Sequence, residues 1–424
     1  MRSPVLRWLL AGTLIVLLGG IYTISTNPTS LVIPSIRFLS SSKQLPLVSE
    51  ILAPEPAPEL ILPPPASHIL PIPVRTLVIN LERRPDRRAN MELLRAGVDS
   101  DLDTPTSGSA WTYVAAQDAH APWPVRVLHR VRELREAIFA VYPMQQWVYE
   151  MNGLKRLIKL PFAWPEPMPA YLPRLPADTD PFDATALALQ FPTAKEPFPP
   201  LSWAEMDYAL EPFVLDPFFH LTRSVVACYR SHLSALELAA RQTDGAPSLI
   251  MEDDVDMEVD IRARLDRVWD ALPQDWDVVF LGHCWSNETF HPPLPLPSSQ
   301  QPFSADADTT YPRIYPSHAP LCLHAYLVSP AGAARLLSHL TLPSFAYSRP
   351  VDNAIARLVE TGRLKSYTVV PNVVIQRAKR GLSDISGRVD NTGGWNATLV
   401  NGFFDRLDRE EAKAQAEVEK VKLT

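Results

Sequence analysis

Apolar residues in this chain fall into short runs of strand length that alternate with stretches of helical period. Val74–Leu81 (VRTLVINL) is a β-branched run broken by Glu82–Arg88 (ERRPDRR), after which Arg88–Ala96 reads as a short helix stopped by Gly97. Trp111–Ala116 reads as a second strand. Pro124–Tyr142 carries Val127, Val131, Leu134, Ile138 and Val141 on one helical stripe, and Pro143 ends or kinks it before a second helix over Met144–Leu160. From Ser224 the alternation resumes. Helices are expected at Val226–Gln242, Ile261–Leu272, Pro330–Leu340 and Val351–Glu360, and strands at Ser248–Met251, Asp277–Leu281, Leu321–Val328 and Tyr367–Val370. This order predicts an α/β domain, a mostly parallel sheet flanked by helices. Ligands then sit at the carboxyl ends of the strands, where Asn80, Asp254 and Gly282 fall and could line one cleft.

The flanking segments have a different character. Trp8–Ile24 carries no charge over 17 residues and follows Arg2 and Arg7. As a helix it spans about 26 Å, close to the ~27 Å core of a thin bilayer. Residues 1–7 are then a cytosolic tail, 8–24 a signal-anchor, and the body lies in the lumen; a cleaved signal peptide, giving a secreted protein, is the alternative. Residues 25–73 form a Pro-rich stem, 74–390 the folded domain with an α-rich insertion at 120–220, and 391–424 a tail.

Composition narrows the class. A chain of 424 residues with 46% hydrophobic and 21% charged content folds as one large or two ordinary domains. Its net charge of −7 offers no basic footprint, which argues against nucleic acid. The 44 prolines concentrate in the stem and in 161–217, so their excess belongs to linker and insertion. Cys228, Cys284 and Cys322 are too few for a zinc framework; one disulfide with a free thiol, or three thiols, both fit. The sequons Asn287-Glu-Thr289 and Asn396-Ala-Thr398 suit an exported body, although such triplets also arise often by chance.

Candidate chemistry centres on Leu249–Asp256 (LIMEDDVD), an apolar run that ends in four carboxylates within five residues. Converging carboxylates repel, and a hard divalent cation such as Mn²⁺ or Mg²⁺ relieves them. A solvated loop or a helix N-terminus accounts for the same stretch taken alone. The loop after the first strand carries Arg83, Arg84, Arg87 and Arg88, whose planar forks suit phosphate, as they also suit a solvated surface. Cys228-Tyr-Arg230-Ser231-His232 opens the helix before the acidic strand, where a histidine near a helix N-terminus stays neutral and can donate to phosphate or sugar; a capping Ser and a packed His is the plain alternative. Ser329–Ala334 reads as a cap, a first-turn proline and small residues for close packing on the sheet. Asp352 at a helix start is a cap or a general base facing the cleft. Gln376-Arg377 and Ser383-Asp384 follow a strand as a lid or a polar tail.

Together these pieces resemble glycosyltransferase family 25, which includes bacterial lipooligosaccharide and animal procollagen galactosyltransferases. The matching segments, in family order, are VINLERRPDRR at 78–88, ACYRSHLSALELA at 227–239, LIMEDDV at 249–255, HAYLVSPAGAARLL at 324–337, RPVDNAI at 349–355 and VIQRAKRGLSDIS at 374–386. They cover residues 74–119 and 224–386, about half the chain, and leave out the stem, most of the insertion and the tail. The resemblance implies a GT-A fold, a UDP-sugar donor (UDP-galactose in the best-known members), inversion at the anomeric carbon and use of Mn²⁺. By the same resemblance Asp254 would ligate the metal and Glu252 would sit near the metal or the ribose, with Asp253 beside them. Asp256 completes a literal Asp-X-Asp that the family motif does not require. Asn80, Arg83, Arg84, Arg87, Ser231 and His232 become candidate donor-binding residues, and Asp352, then Asp384, the candidate base.

The resulting expectation is a type II membrane hexosyltransferase of the Golgi or endoplasmic reticulum lumen, acting on a glycan or glycoprotein. A catalytically inactive relative that binds glycans or assists folding is the first rival, and the intact acidic motif counts against it. A metal-dependent phosphate-ester hydrolase is the second. It needs further metal ligands, and His232, His283, His318 and His324 lack the spacing for a two-metal site.

Overall fold

The structure is a computed structural model of the chain. It describes residues 69–100, 111–125, 127–128, 221–296, 311–341, 346–347, 349–377 and 398–423, all in the compact unit that begins at Ile61. The expected span at 8–24, most of the stem and nearly all of the 120–220 insertion lie outside the described residues. Among the described residues no helix is long and apolar enough to cross a membrane.

Strands β1 (Arg75–Asn80), β2 (Thr112–Ala115), β3 (Ser248–Glu252), β5 (Val278–Phe280), β6 (Arg313–Pro316), β7 (Ala325–Val328) and β8 (Ser366–Val370) form one sheet in the order β2-β1-β3-β7-β5-β8-β6. β2, β1, β3, β5 and β8 run one way, and β7 and β6 run against them. β1, β5 and β7 are buried along their whole length. That is why they read as unbroken apolar or β-branched runs. Two short strands, β4 (Val255–Met257) and β9 (Val374–Gln376), pair separately as an antiparallel ribbon.

Helices cover both faces, and the period of two along each strand divides the core between them. Leu77, Ile79, Ile250, Phe280 and Tyr326 meet α2 (Arg223–Ala240), α4 (Pro330–Leu340) and α5 (Val351–Glu360). Val78, Leu249, Met251, Val279 and Leu327 meet α1 (Pro85–Ser100), α3 (Ile261–Asp266) and the first turn of α6 (Phe403–Leu423). Thr222 caps α2 by accepting from the Val225 N–H at 3.2 Å, and Ser329 caps α4 through Gly332 N–H at 3.0 Å with Pro330 in the first turn. A Cβ on Gly332 would stand 2.2 Å from the Asp277 carbonyl, so this helix start needs glycine to lie against the sheet.

Several boundaries differ from the sequence expectation. α1 does not stop at Gly97 but runs through it to Ser100. The glycine serves contact, since a Cβ there would lie 1.9 Å from the Phe403 ring. Gly97→Ala should therefore cost about 1–3 kcal/mol by overpacking, even though the same change in a free helix interior gains about 1 kcal/mol; a lower urea midpoint is the check. The expected helix over Ile261–Leu272 is α3 plus a separate 3₁₀ turn at Trp269–Ala271. The core begins before Val74, with Ile69 and Leu70 fully buried. It also extends past residue 390: Glu258 accepts from the Val400 and Asn401 N–H groups at 2.7 and 2.6 Å, and Phe403 and Phe404 are buried. Cys284 and Cys322 form a disulfide, and Cys228 is a free thiol.

Candidate active site

The chain leaves β1 toward β2 on one side, whereas β3 lies on the other, and α1 and α2 cover opposite faces. The crevice at the carboxyl ends of β1 and β3 is thus a topological switch point, the usual ligand position in an open α/β sheet. β3 ends at Glu252, β4 resumes at Val255, and the tight turn between them presents Asp253 and Asp254. Glu252, Asp253 and Asp254 line a cleft whose walls include Arg83, Arg87, Gln117, Cys228, Ser231, His232 and Gln376.

Each carboxylate has a distinct set of partners. Glu252 meets His232 Nε2 at 3.3 Å, and the other ring nitrogen of His232 lies 3.1 Å from the Tyr326 hydroxyl. Asp253 accepts from Asn80 Nδ2 at 2.6 Å and from Arg87 Nη1 at 2.7 Å. Asp254 Oδ2 lies 3.1 Å from the same Arg87 nitrogen and 3.3 Å from Gln376 Nε2, a donor to it. Its carbonyl accepts from the Arg377 N–H at 2.7 Å. Asp254 Oδ1 is buried and accepts no hydrogen bond among the described residues.

The electrostatics separate the three acids. Burial works against ionised Glu252, but the hydrogen bond and charge of His232, helped by His324 and Arg87, hold its carboxyl below the usual range. Burial pushes Asp253 up against the pull of Arg87 and Asn80. Asp254 is pushed up to about 7, first by burial, then by the charges of Glu252 and Asp253, with Arg87 and Gln376 countering. The turn thus holds one carboxylate that ionises only near neutral pH and has an oxygen to spare.

The sequence candidates separate by position. Arg83, Arg87, Ser231, His232, Glu252, Asp253 and Asp254 share the cleft, with Asn80 bonded to Asp253 behind it. Arg83 pairs with Asp118 at 3.4 Å. Arg84 instead turns to Asp86, at 3.0 Å from Nε and 2.9 Å from Nη2, and draws that carboxyl down to about 2. Ser231 Oγ accepts from Gln117 N–H and donates to the Ala227 carbonyl, both at 2.8 Å, so it fastens the loop after β2 to α2. α2 starts at Arg223, which places His232 in mid-helix; Glu252 and Tyr326 set its orientation, not the helix terminus. Pro350 occupies the cap of α5, so Asp352 is not the cap. Its Oδ1 accepts from the Asn353 N–H at 2.8 Å, and Cys322 N–H approaches Oδ2 at 3.4 Å. Asp352 is not one of the residues that line the cleft, though its charge, with those of Glu252 and Asp254, bears on Cys228. Gly282 is covered by the Val374 carbonyl and His324, and Asp384 lies outside the described residues.

Sequence reasoning left out Cys228 as a wall of the cleft and His324 as its backing. Burial lowers the His324 ring to about 4, and its Nε2 donates to the Val374 carbonyl at 3.2 Å. Asp256, which the family motif does not require, is not among the residues that line the cleft: its Oδ1 accepts from Met257 and Phe404 N–H groups at 2.8 and 3.1 Å, holding the start of α6. Gln376 is no loose tail, since β9 delivers it to Asp254.

Two donor sets could hold a cation here. Cys228, His232 and Glu252 bring sulfur, nitrogen and oxygen atoms within 4.8 Å of one another, a set that suits zinc. Burial, reinforced by the charges of Glu252, Asp352 and Asp254, pushes the thiol up, so a cation bound there would have to displace its proton. Asp254 with Glu252 offers hard oxygens, one of them without a partner, and suits Mn²⁺ or Mg²⁺.

The fold and the cleft define an α/β protein with an acidic, arginine-flanked cleft at the switch point of its sheet. No protein-family model matches the chain, and no curated protein matches it.

Proposed function

We propose that this chain is an inverting, metal-dependent hexosyltransferase of the secretory pathway with a GT-A-type fold. It moves a hexose, galactose first among the candidates, from a UDP-sugar to a glycan or glycoprotein, and residues 8–24 hold it at the membrane. What carries the proposal is the Asp254 carboxylate: buried, raised toward neutral pH, beside a second carboxylate, and with one oxygen unbonded. The sequence segments that resemble family 25 supply the direction of the chemistry.

Asp254 and Glu252 would hold the cation, whose positive charge would offset the negative charge developing on the departing diphosphate. Arg87 joins Asp253 to Asp254 and so fixes the turn. Arg83, on the cleft wall, would donate to phosphate oxygens. His232 is held from behind by Tyr326 and orients Glu252. An acceptor hydroxyl attacking the anomeric carbon opposite the diphosphate must lose its proton to a base. Asp352 is assigned that proton.

UDP release by the purified full chain, across a panel of nucleotide sugars with Mn²⁺ or EDTA, tests this. Slow Mn²⁺-dependent release from one donor, lost in Asp254→Ala, is expected and names the sugar. A folded protein that binds neither UDP nor Mn²⁺ would overturn the proposal in favour of the inactive relative.

A further inference from the structure

The loop that follows β5 exposes what a folded core ordinarily hides. Among the described residues the exposed large hydrophobic side chains are Leu93, Trp285, Phe290 and Val400, so two of the four sit five positions apart on one loop. Trp285 is 58% exposed and takes φ 55°, a left-handed conformation that Cβ sterics disfavour for a bulky residue.

The loop is firmly held. Cys284 is disulfide-bonded to Cys322 and donates its N–H to the Leu321 carbonyl at 3.0 Å. Glu288, only 1% exposed, accepts from His318 and Ala319 N–H groups at 2.9 Å each and from Thr368 Oγ1 at 2.8 Å. An indole kept outward on such a frame is placed there, and a partner from outside the core would explain it.

The adjoining residues say what the partner is. Trp285-Ser-Asn287-Glu-Thr289 puts the aromatic two residues before the asparagine of a sequon and the threonine two after it. Asn287 and Thr289 are both exposed. Thr289 Oγ1 donates to Asn287 Oδ1 at 3.0 Å, and Phe290 N–H closes a turn on the Asn287 carbonyl at 3.0 Å. Trp285 and Asn287 are both exposed and stand two positions apart on this held loop, so an indole neighbours the point at which a sugar would be attached. The C–H groups on one face of a pyranose carry slight positive charge and meet the negative face of an aromatic ring.

We propose that Asn287 carries an N-linked glycan whose first sugar ring rests on Trp285. In the modifying step Asn287 Nδ2 attacks the anomeric carbon of a lipid-diphosphate-linked oligosaccharide. The N–C bond forms, the C–O bond to diphosphate breaks, and the amide proton passes to the transferring enzyme as the lipid diphosphate departs. The inference rests on the secretory placement of the body, and the disulfide beside Trp285 is at home in the same oxidising compartment.

The test is expression of the full chain in a eukaryotic secretory host, with protease protection of the body and peptide mapping after enzymatic deglycosylation in heavy-oxygen water. Asn287 should be occupied, and Thr289→Ala should lose that glycan. Removing the glycan should lower the Tm of the wild type by about 2 °C and that of Trp285→Ala by less than half as much. A lumenal body with unmodified Asn287, or an equal Tm loss in both proteins, overturns the proposal and leaves the secretory placement standing. A body on the cytosolic side overturns both. Unmodified Asn287 together with weaker saccharide-acceptor use by Trp285→Ala would give the indole to the acceptor instead.

Discussion

Asp254→Asn should make the ion-free protein more stable at pH 8 and at the same time remove its response to Mn²⁺. An unfolded aspartate titrates near 3.9, whereas in the fold Asp254 is raised to about 7 by burial and by Glu252 and Asp253. Between these values the folded state binds the extra proton, so stability falls as pH rises from about 4 to 7, and the full penalty stands above 7. Asparagine cannot ionise and escapes it, a gain on the order of 2–4 kcal/mol at pH 8 that disappears below about pH 4. A cation at about 100 times its Kd would return about 2.7 kcal/mol to the wild type and nothing to the variant. The two proteins should therefore exchange rank or converge when Mn²⁺ is added. UDP release should fall by about a hundredfold or more, the scale of losing a charge-stabilising group. Thermal melts at pH 4, 6 and 8 with and without Mn²⁺ decide the matter. A variant no more stable than the wild type at pH 8 would show that Asp254 is not raised by its burial, and one that still responds to Mn²⁺ would remove Asp254 as the cation ligand.

Glu237→Leu should destabilise the fold by about 3–5 kcal/mol, while the double variant Arg230→Met/Glu237→Leu should return to within about 1 kcal/mol of the wild type. Arg230 belongs to the Cys228–His232 segment that supplies the cleft wall, yet its Nη1 donates to Glu237 Oε1 at 2.9 Å, two turns further along α2. Both side chains are nearly buried, at 9% and 6% exposed. Removing the acid alone strips a buried guanidinium of this carboxylate, whereas replacing both with apolar residues of similar volume removes the charge and its need together. Urea midpoints for the single and double variants measure the difference. UDP release by the double variant should stay near that of the wild type. A large loss there without a loss of stability would mean that Arg230 contacts the donor.

The elements legible in the chain were those with a helical apolar stripe or an unbroken apolar or β-branched run. α4 and α5 fall at Pro330–Leu340 and Val351–Glu360, as their caps and apolar stripes indicate, and β1, β3, β5 and β8 lie within a residue or two of the expected runs. β4, β6 and β9 are short strands with polar residues among them and no apolar run to mark them, and the start of α6 was hidden in a polar tail. Gly97 shows how a local rule can mislead: glycine in a helix reads as a stop, but the residue that requires it, Phe403, is some three hundred positions away.

The candidate site divides along the same line. The carboxylate run and the arginine loop marked the strand ends that meet at the switch point, because charge clustered after an apolar run is visible locally. Which groups face the cleft was not. Arg84 and Arg87 look alike in the loop, and only packing sends one to Asp86 and the other to Asp253 and Asp254. Asp254 and Asp256 look alike in the motif, and only the arrival of α6 binds Asp256 to the Phe404 N–H while leaving Asp254 an unbonded oxygen. The sequence by itself determined the α/β alternation and the chemistry available at the ends of the strands. The tertiary structure alone decided which of those groups are buried, paired or left open, because desolvation and pairing depend on neighbours brought together from remote parts of the chain.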